Sequence, residues 1–349
     1  MVTTLIDPVV DEDVTRRAFL AGLAAAGLLV TYGNDTSMAG ESSTGWAFTD
    51  DRGAEITLDA VPRRIVANET VASALWDLGI EPVGIFGGAP LTEDNPNLFG
   101  IDLDGIESVG AMYGEINLEK LAALRPDLIV TNFDPRQGGL VFGLTDKSVQ
   151  DRMEAIAPIV ALDRSEELTA VMERFEELAV ALGADLEAPA VVAARERFNE
   201  ASQRLRAAVA AKPGLRAVAL QPFLGEGIYV ARPKNATNLR HFQELGLDLV
   251  EPESQPSDLS EDLANFYWEF LSFERADTYP ADLILIGSEV GPPPLDAFAE
   301  IATWSALPAV EAGQLVQWRI LANWSYLANA HDLELLAGAV ARANPDLVP

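Results

Sequence analysis

Asn117-Leu118-Glu119-Lys120-Leu121-Ala122-Ala123-Leu124-Arg125-Pro126-Asp127-Leu128-Ile129-Val130-Thr131 decides the architecture. Residues Asn117 to Leu124 predict a short helix, and the apolar, β-branched run from Asp127 to Thr131 predicts a buried strand. The same unit returns without gaps as Leu271-Ser272-Phe273-Glu274-Arg275 followed by Asp282-Leu283-Ile284-Leu285. In each copy a capping residue, Asn117 or Ser272, precedes an apolar residue and then a Glu, which puts Glu119 and Glu274 in the first turn of their helices. A carboxylate there stabilises a helix by about 0.3–1 kcal/mol with no further role. Two equivalent carboxylates, one per lobe, also suit a matched pair of basic pockets on a pseudo-symmetric partner, where charge sets register.

Outward from these units, short β-branched runs alternate with longer amphipathic ones, the pattern of βα units and a mostly parallel sheet. Strands are expected at Arg64–Ala67, Pro82–Phe86, Asp127–Thr131 and Ile159–Leu162 in one block. In a second block they are expected at Arg216–Leu220, Ile228–Val230, Asp282–Ile286 and Leu315–Trp318. Between the blocks, Glu166 to Lys212 holds no strand candidate and reads as helix, a break at Gly183–Pro189, and a second helix through Ala210. The divisions are an address at 1–39, a leader at 40–60, an N-terminal lobe at 61–164, a helical connector at 165–212 and a C-terminal lobe at 213–349.

The 349 residues, 49% hydrophobic, are enough for two cores. Against 54 acidic residues stand 24 Lys and Arg, a formal charge of -30 that repels nucleic acid and anionic lipid. With no cysteine there is no disulfide, thiolate metal site, thiol nucleophile or lipid attachment through Cys. Arg16-Arg17 ahead of the short apolar run Ala18–Val30 reads as a twin-arginine export signal, with Ser37-Met38-Ala39 offering small residues for cleavage before Gly40. No phosphate loop, nucleophile elbow or His-rich metal motif is present, so an enzyme is not expected. The enzyme-class alternative is an exported protein carrying a redox cofactor.

Three segments carry a family resemblance: Val61-Pro62-Arg63-Arg64-Ile65-Val66, Asn117–Leu121 with Leu124–Val130, and Trp304-Ser305-Ala306-Leu307-Pro308-Ala309-Val310 with Gly313-Gln314-Leu315-Val316. In this order and spacing the chain from Val61 onward resembles the class III (cluster A-II) periplasmic substrate-binding proteins of the FecB/FepB/BtuF type, which serve siderophore, haem and cobalamin importers. The resemblance implies an α/β fold of two Rossmann-like lobes with central β-sheets, joined by one long rigid helix, with the ligand cleft between them. It implies a monomer that docks on an ABC permease and its ATPase through Glu119 and Glu274. It also implies no intrinsic cofactor, an Fe(III)-siderophore as ligand, and haem or cobalamin as the alternatives.

A bulky chelate needs aromatic faces and a few cationic or hydrogen-bonding groups, on loops leaving the carboxyl ends of strands. In the first lobe that rule selects Asn68-Glu69-Thr70, Phe86-Gly87-Gly88, Met112-Tyr113-Gly114 and Phe133-Asp134-Pro135-Arg136, with Tyr113 and Arg136 preferred. In the second it selects Phe223, Tyr229, Arg232, Asn238, Trp268, Trp318, Trp324 and Tyr326, while Trp304 is assigned to packing. His241 and His331 fall in helical patterns, which disfavours an axial haem ligand, though Tyr113 or Tyr229 could serve. The scarcity of Lys and Arg disfavours a tris-catecholate and favours a neutral or cationic hydroxamate.

Overall fold

The structure, a computed structural model, describes residues 45–138, 140–257, 262–288 and 295–348; the export signal and the cleavage position read above lie outside the described residues. A hairpin of β1 (Trp46–Thr49) and β2 (Glu55–Leu58) precedes the first lobe. That lobe is a five-stranded sheet of β3 (Ile65–Asn68), β4 (Gly84–Phe86), β5 (Glu107–Gly110), β6 (Leu128–Phe133) and β7 (Ile159–Asp163), all parallel, in the order β5-β4-β3-β6-β7. Its crossovers carry α1 (Glu69–Asp77), α2 (Leu118–Leu124) and α3 (Lys147–Glu154).

The connector is two helices, α4 (Leu168–Ala181) and α5 (Pro189–Ala210). Gly183, at φ +94°, follows the end of α4, and Pro189 opens α5 where its missing N–H costs nothing. At 22 residues α5 spans about 33 Å, enough to run past both lobes.

The second lobe contains β8 (Arg216–Phe223), β9 (Gly227–Ala231), α6 (Thr237–Glu244), β10 (Asp248–Leu249), α7 (Leu263–Tyr267), β11 (Trp268–Leu271), β12 (Leu283–Ser288), α8 (Ala302–Ser305), α9 (Pro308–Glu311), β13 (Leu315–Arg319) and α10 (Tyr326–Arg342). Its strands lie in the order β11-β9-β8-β12-β13, with β10 also on β8. β9 runs antiparallel to both β8 and β11, so β11 is parallel to β8 and ends beside the β8–β9 hairpin. β11 is absent from the sequence reading; the alternation of Trp268 and Phe270 on one face of Trp268-Glu269-Phe270-Leu271 is its period-two signal.

The internal repeat has a physical counterpart. Asp127 accepts hydrogen bonds from the Arg63 and Arg64 backbone N–H groups at the entry to β3. Asp282 accepts one from Arg216 at the entry to β8. In each lobe the aspartate that opens the repeated strand pins its neighbour.

Each sheet buries two faces. Val66, Ile129 and Ile159 face an outer core beneath α2 and α3, and Val218, Val230, Ile284 and the fully buried Trp304 face another beneath α8 and α9. Between the sheets one continuous core joins Ala67, Val130 and Leu162 of the first lobe to Phe175 and Leu205 of the connector and to Ala219, Leu285 and Leu336 of the second. The lobes thus share packed side chains as well as a helix, which resists relative motion.

A buried carboxylate strengthens this joint. Asp77, at the end of α1, accepts hydrogen bonds from Ser325 Oγ (2.6 Å) and the Leu327 N–H (3.0 Å) at the first turn of α10, and Asn323 Nδ2 donates to the Asn97 carbonyl beside it (2.9 Å). Burial pushes Asp77 up from 3.8 to about 6, against the opposing hydrogen bonds. An acid raised on folding adds stability that is complete below its unfolded value and is lost as pH rises through about 6. Burial also depresses His241, to about 4, which makes the opposite contribution over a similar window. Comparison of wild type with Asp77→Asn cancels that drift. We expect the wild type to gain on the order of 2–3 kcal/mol relative to the variant between pH 7 and pH 4 in denaturant unfolding. A pH-independent difference between the two proteins would refute this role for Asp77.

Candidate ligand cleft

The carboxyl ends of the first sheet do not lie open. Residues 140–144 fold back over them: the Phe142 N–H donates to the Asn132 carbonyl (2.7 Å), Thr131 Oγ1 donates to the Phe142 carbonyl (3.2 Å), and Val141 bridges Phe133. Phe86 and Phe133 are therefore packed in the outer core, and Glu69 is buried, accepting from the Gly88 N–H (2.9 Å) and Asn95 Nδ2 (3.3 Å). These three sequence candidates present no surface to the space between the lobes. The rule that picked them assumes bare strand ends, and here a covering segment moves the available surface outward by one layer.

Tyr113 occupies that outer layer. It sits at the tip of a turn closed by the Glu115 N–H on the Met112 carbonyl (2.9 Å), with Gly114 at φ +83° as a type II turn requires. Gly110, at the base, permits close approach, since a Cβ there would collide with the Glu115 carbonyl oxygen. Tyr113 is 45% exposed and packs edge-on against Phe142 at 5.6 Å.

A chain of rings and guanidinium groups continues across the seam. Arg164 lies over Phe142 (4.3 Å) and its Nη2 donates to Tyr267 Oη (3.3 Å) on the second lobe. Arg136 lies 4.9 Å over Phe266 while gripping Asp134 through Nε (2.8 Å) and Nη2 (2.6 Å). Arg164, Phe142, Phe266 and Tyr267 are absent from the sequence reading because no local spacing marks a contact between residues 103 apart.

Beyond Tyr267 the inner face of the second sheet emerges from the core. Its carboxyl end carries Phe223, Tyr229 and Phe270, each ring edge-on to the next at 5.3 and 5.2 Å, with Trp268 half-buried on the same strand and same face as Phe270. Phe223 and Phe270 are 39% and 52% exposed. Phe270 is the main member of this platform that the sequence reading lacks.

Five other candidates are structural. Arg232 is buried, donating to the Asn265 and Ser254 carbonyls and to Ser254 Oγ. Asn238 Nδ2 donates to the Arg319 carbonyl (2.7 Å). Trp318 and Trp324 are buried in the inter-lobe core, Trp318 5.9 Å from Trp268. Tyr326 donates to Glu176 on the connector (2.7 Å), a bond that, with burial as the larger cause, raises its phenol above the ordinary range. His241 stacks on Phe198, and His331 stacks on Phe99 across the lobe junction; burial lowers both.

Glu119 and Glu274 are both exposed, in the first turn of α2 and of a 3-10 turn at Phe273–Thr278. α2 begins where the Asn117 N–H meets the Val109 carbonyl near the end of β5, and the 3-10 turn follows the end of β11 directly. Both carboxylates therefore lie at the carboxyl ends of their sheets, the same ends that carry the aromatic surfaces. The hydroxyl of Ser272 and backbone N–H bonding hold Glu274 below the usual carboxylate range.

Comparison with known proteins places this fold among binding proteins. The periplasmic binding protein family signature matches residues 94–320. The crystal structure of DesE, a ferric-siderophore receptor protein from Streptomyces coelicolor, is 35% identical, covering 86% of this chain and 99% of that one with a TM-score of 0.75. The siderophore periplasmic binding protein from the fuscachelin gene cluster of Thermobifida fusca is 25% identical, covering 80% and 97%, with a TM-score of 0.57. The Fe(3+)-citrate-binding protein YfmC of Bacillus subtilis is 26% identical over 305 residues, 85% of each chain.

Proposed function

Because this chain belongs to the periplasmic binding protein family, as a class III member with two α/β lobes, we propose that it captures a ferric siderophore between them outside the cytoplasm and delivers it to an ABC permease. One observation carries the reading. Of the seven large hydrophobic side chains that are exposed among the described residues, five, Met112, Tyr113, Phe223, Leu224 and Phe270, stand at the carboxyl ends of the two sheets. Exposed apolar groups concentrated at one place mark a binding surface, and a chelate with a greasy periphery and few free donors is what such a surface fits.

Within siderophores, a ferric hydroxamate fits best. Arg136 is neutralised by Asp134, and Arg164 is spent on Phe142 and Tyr267, so the seam offers hydrogen bonding without a cluster of free cations. Haem finds no axial histidine here, since His241 and His331 are packed in helices away from the platform. Export follows the twin-arginine route, and the protein performs capture rather than catalysis; a redox holoprotein would instead purify coloured with bound cofactor.

Titration with a ferric trihydroxamate, a ferric tris-catecholate, haem and cobalamin tests the reading through tryptophan emission. Trp268, half-buried beside Phe270, is the reporter. Saturable quenching by the trihydroxamate, reduced by more than half in Trp268→Phe, is expected. Silence with both iron chelates would end the siderophore reading, and quenching by haem or cobalamin alone would replace it.

A further inference from the structure

We propose that Asp134 sets the charge class of the ligand, by pairing with the Arg136 guanidinium so that the pair is net neutral while Arg136 remains a fixed hydrogen-bond donor at the seam between the lobes. The inference rests on the capture function proposed above and deepens it.

Asp134 is 1% exposed, whereas the Arg136 side chain that it holds is 41% exposed. The carboxylate sits behind the guanidinium and engages it in the two-pronged geometry that is strongest for this pair. Its Oδ1 also accepts the Arg136 backbone N–H (2.9 Å), capping the 3-10 turn Pro135–Gln137 and fixing the side chain's origin. With Nε and Nη2 committed to Asp134 and one face on Phe266, the guanidinium keeps Nη1 for a ligand; no described residue accepts from it.

The neighbouring charges do not restore a positive field. Arg164 and Arg240 stay charged, oriented by Phe142, Tyr267 and the Ser165 and Glu166 carbonyls, and they are matched by Asp163, which acts on Arg136, and by Glu167 and Glu244, which act on Arg240. A trianionic tris-catecholate meets balanced charge at this point, under the field of a chain of formal charge -30. An uncharged trihydroxamate loses nothing by that balance and still gains a directed N–H donor to its carbonyl or hydroxamate oxygens.

Two variants move the balance in opposite directions. Asp134→Asn keeps the capping oxygen and releases a net positive charge at Arg136. Arg136→Gln leaves the buried Asp134 carboxylate uncompensated. The readout is the ratio of dissociation constants for an uncharged ferric trihydroxamate and a trianionic ferric tris-catecholate, followed by tryptophan emission at low and high salt. Relative to wild type, Asp134→Asn should shift the ratio at least tenfold toward the tris-catecholate, with the shift shrinking in salt, and Arg136→Gln should shift it the other way. A merely structural role would weaken both ligands alike and leave the ratio still, which would overturn the proposal while leaving chelate capture intact. Wild type binding neither chelate would remove the capture reading and this inference with it. Should Asp134→Asn fail to fold, an unmoved ratio in Arg136→Gln overturns the proposal by itself.

Discussion

Reversing both carboxylates, Glu119→Lys with Glu274→Lys, should reduce iron-chelate uptake by roughly a hundredfold or more while leaving chelate affinity within about twofold. The two side chains are exposed and lie at the same ends of the two sheets, outside the three cores. Their removal therefore costs the fold little beyond the helix-dipole contribution of about 0.3–1 kcal/mol at Glu119. At a docked interface the account is different, because losing one partner of a close charge pair costs about 2–5 kcal/mol and reversal adds repulsion. Two such losses exceed the 2.7 kcal/mol or so that a hundredfold represents. Each single reversal should be intermediate, and wild-type docking should weaken in salt. The measurement is radio-iron uptake in cells lacking the native protein, alongside the ATPase response of the reconstituted transporter. Uptake that survives the double reversal would return both glutamates to helix capping alone.

What the sequence disclosed and what it hid follow from range. The repeat at Asn117 and Ser272, the alternation of strands, and the break at Gly183–Pro189 are local signals, and β6, β12 and the helices α4 and α5 on either side of that break form at those positions. The Trp304 segment also packs as expected, in the outer core of the second lobe. The candidate ligand surface is less legible because it depends on what covers what. Phe86 and Phe133 stand at strand ends, as the rule for open α/β sheets requires, yet residues 140–144 close over them. Arg232 reads as a loop cation until Ser254 and Asn265, more than twenty residues on, take up its donors. Phe270 escapes a sequence reading because a four-residue edge strand leaves a weak period-two trace, and its exposure depends on β9 running antiparallel beside it.

Exposure separates the aromatics of the proposed binding surface from those that hold the fold, and it does so in a way that mutation can read. Phe270→Ala should lower chelate affinity by roughly ten- to a hundredfold, the equivalent of the 1.5–3 kcal/mol or so released when a ligand buries a phenylalanine side chain. It should change stability by no more than about 0.5 kcal/mol, because half of the ring already faces water. Tyr229→Ala should behave similarly, with a loss of stability added because its ring supports both Phe223 and Phe270. The double variant should fall short of the sum of the two affinity losses, since the rings share contacts and removing either loosens the other. Trp304→Ala supplies the contrast: at 2% exposure in the outer core it should cost about 3–5 kcal/mol of stability and leave affinity unchanged. The pair of measurements, isothermal titration with a ferric trihydroxamate and denaturant unfolding, should place Phe270 and Trp304 at opposite corners. If Phe270→Ala binds as wild type does, the platform is not the contact surface, and the apolar groups at the end of the second lobe must serve the permease instead of the chelate.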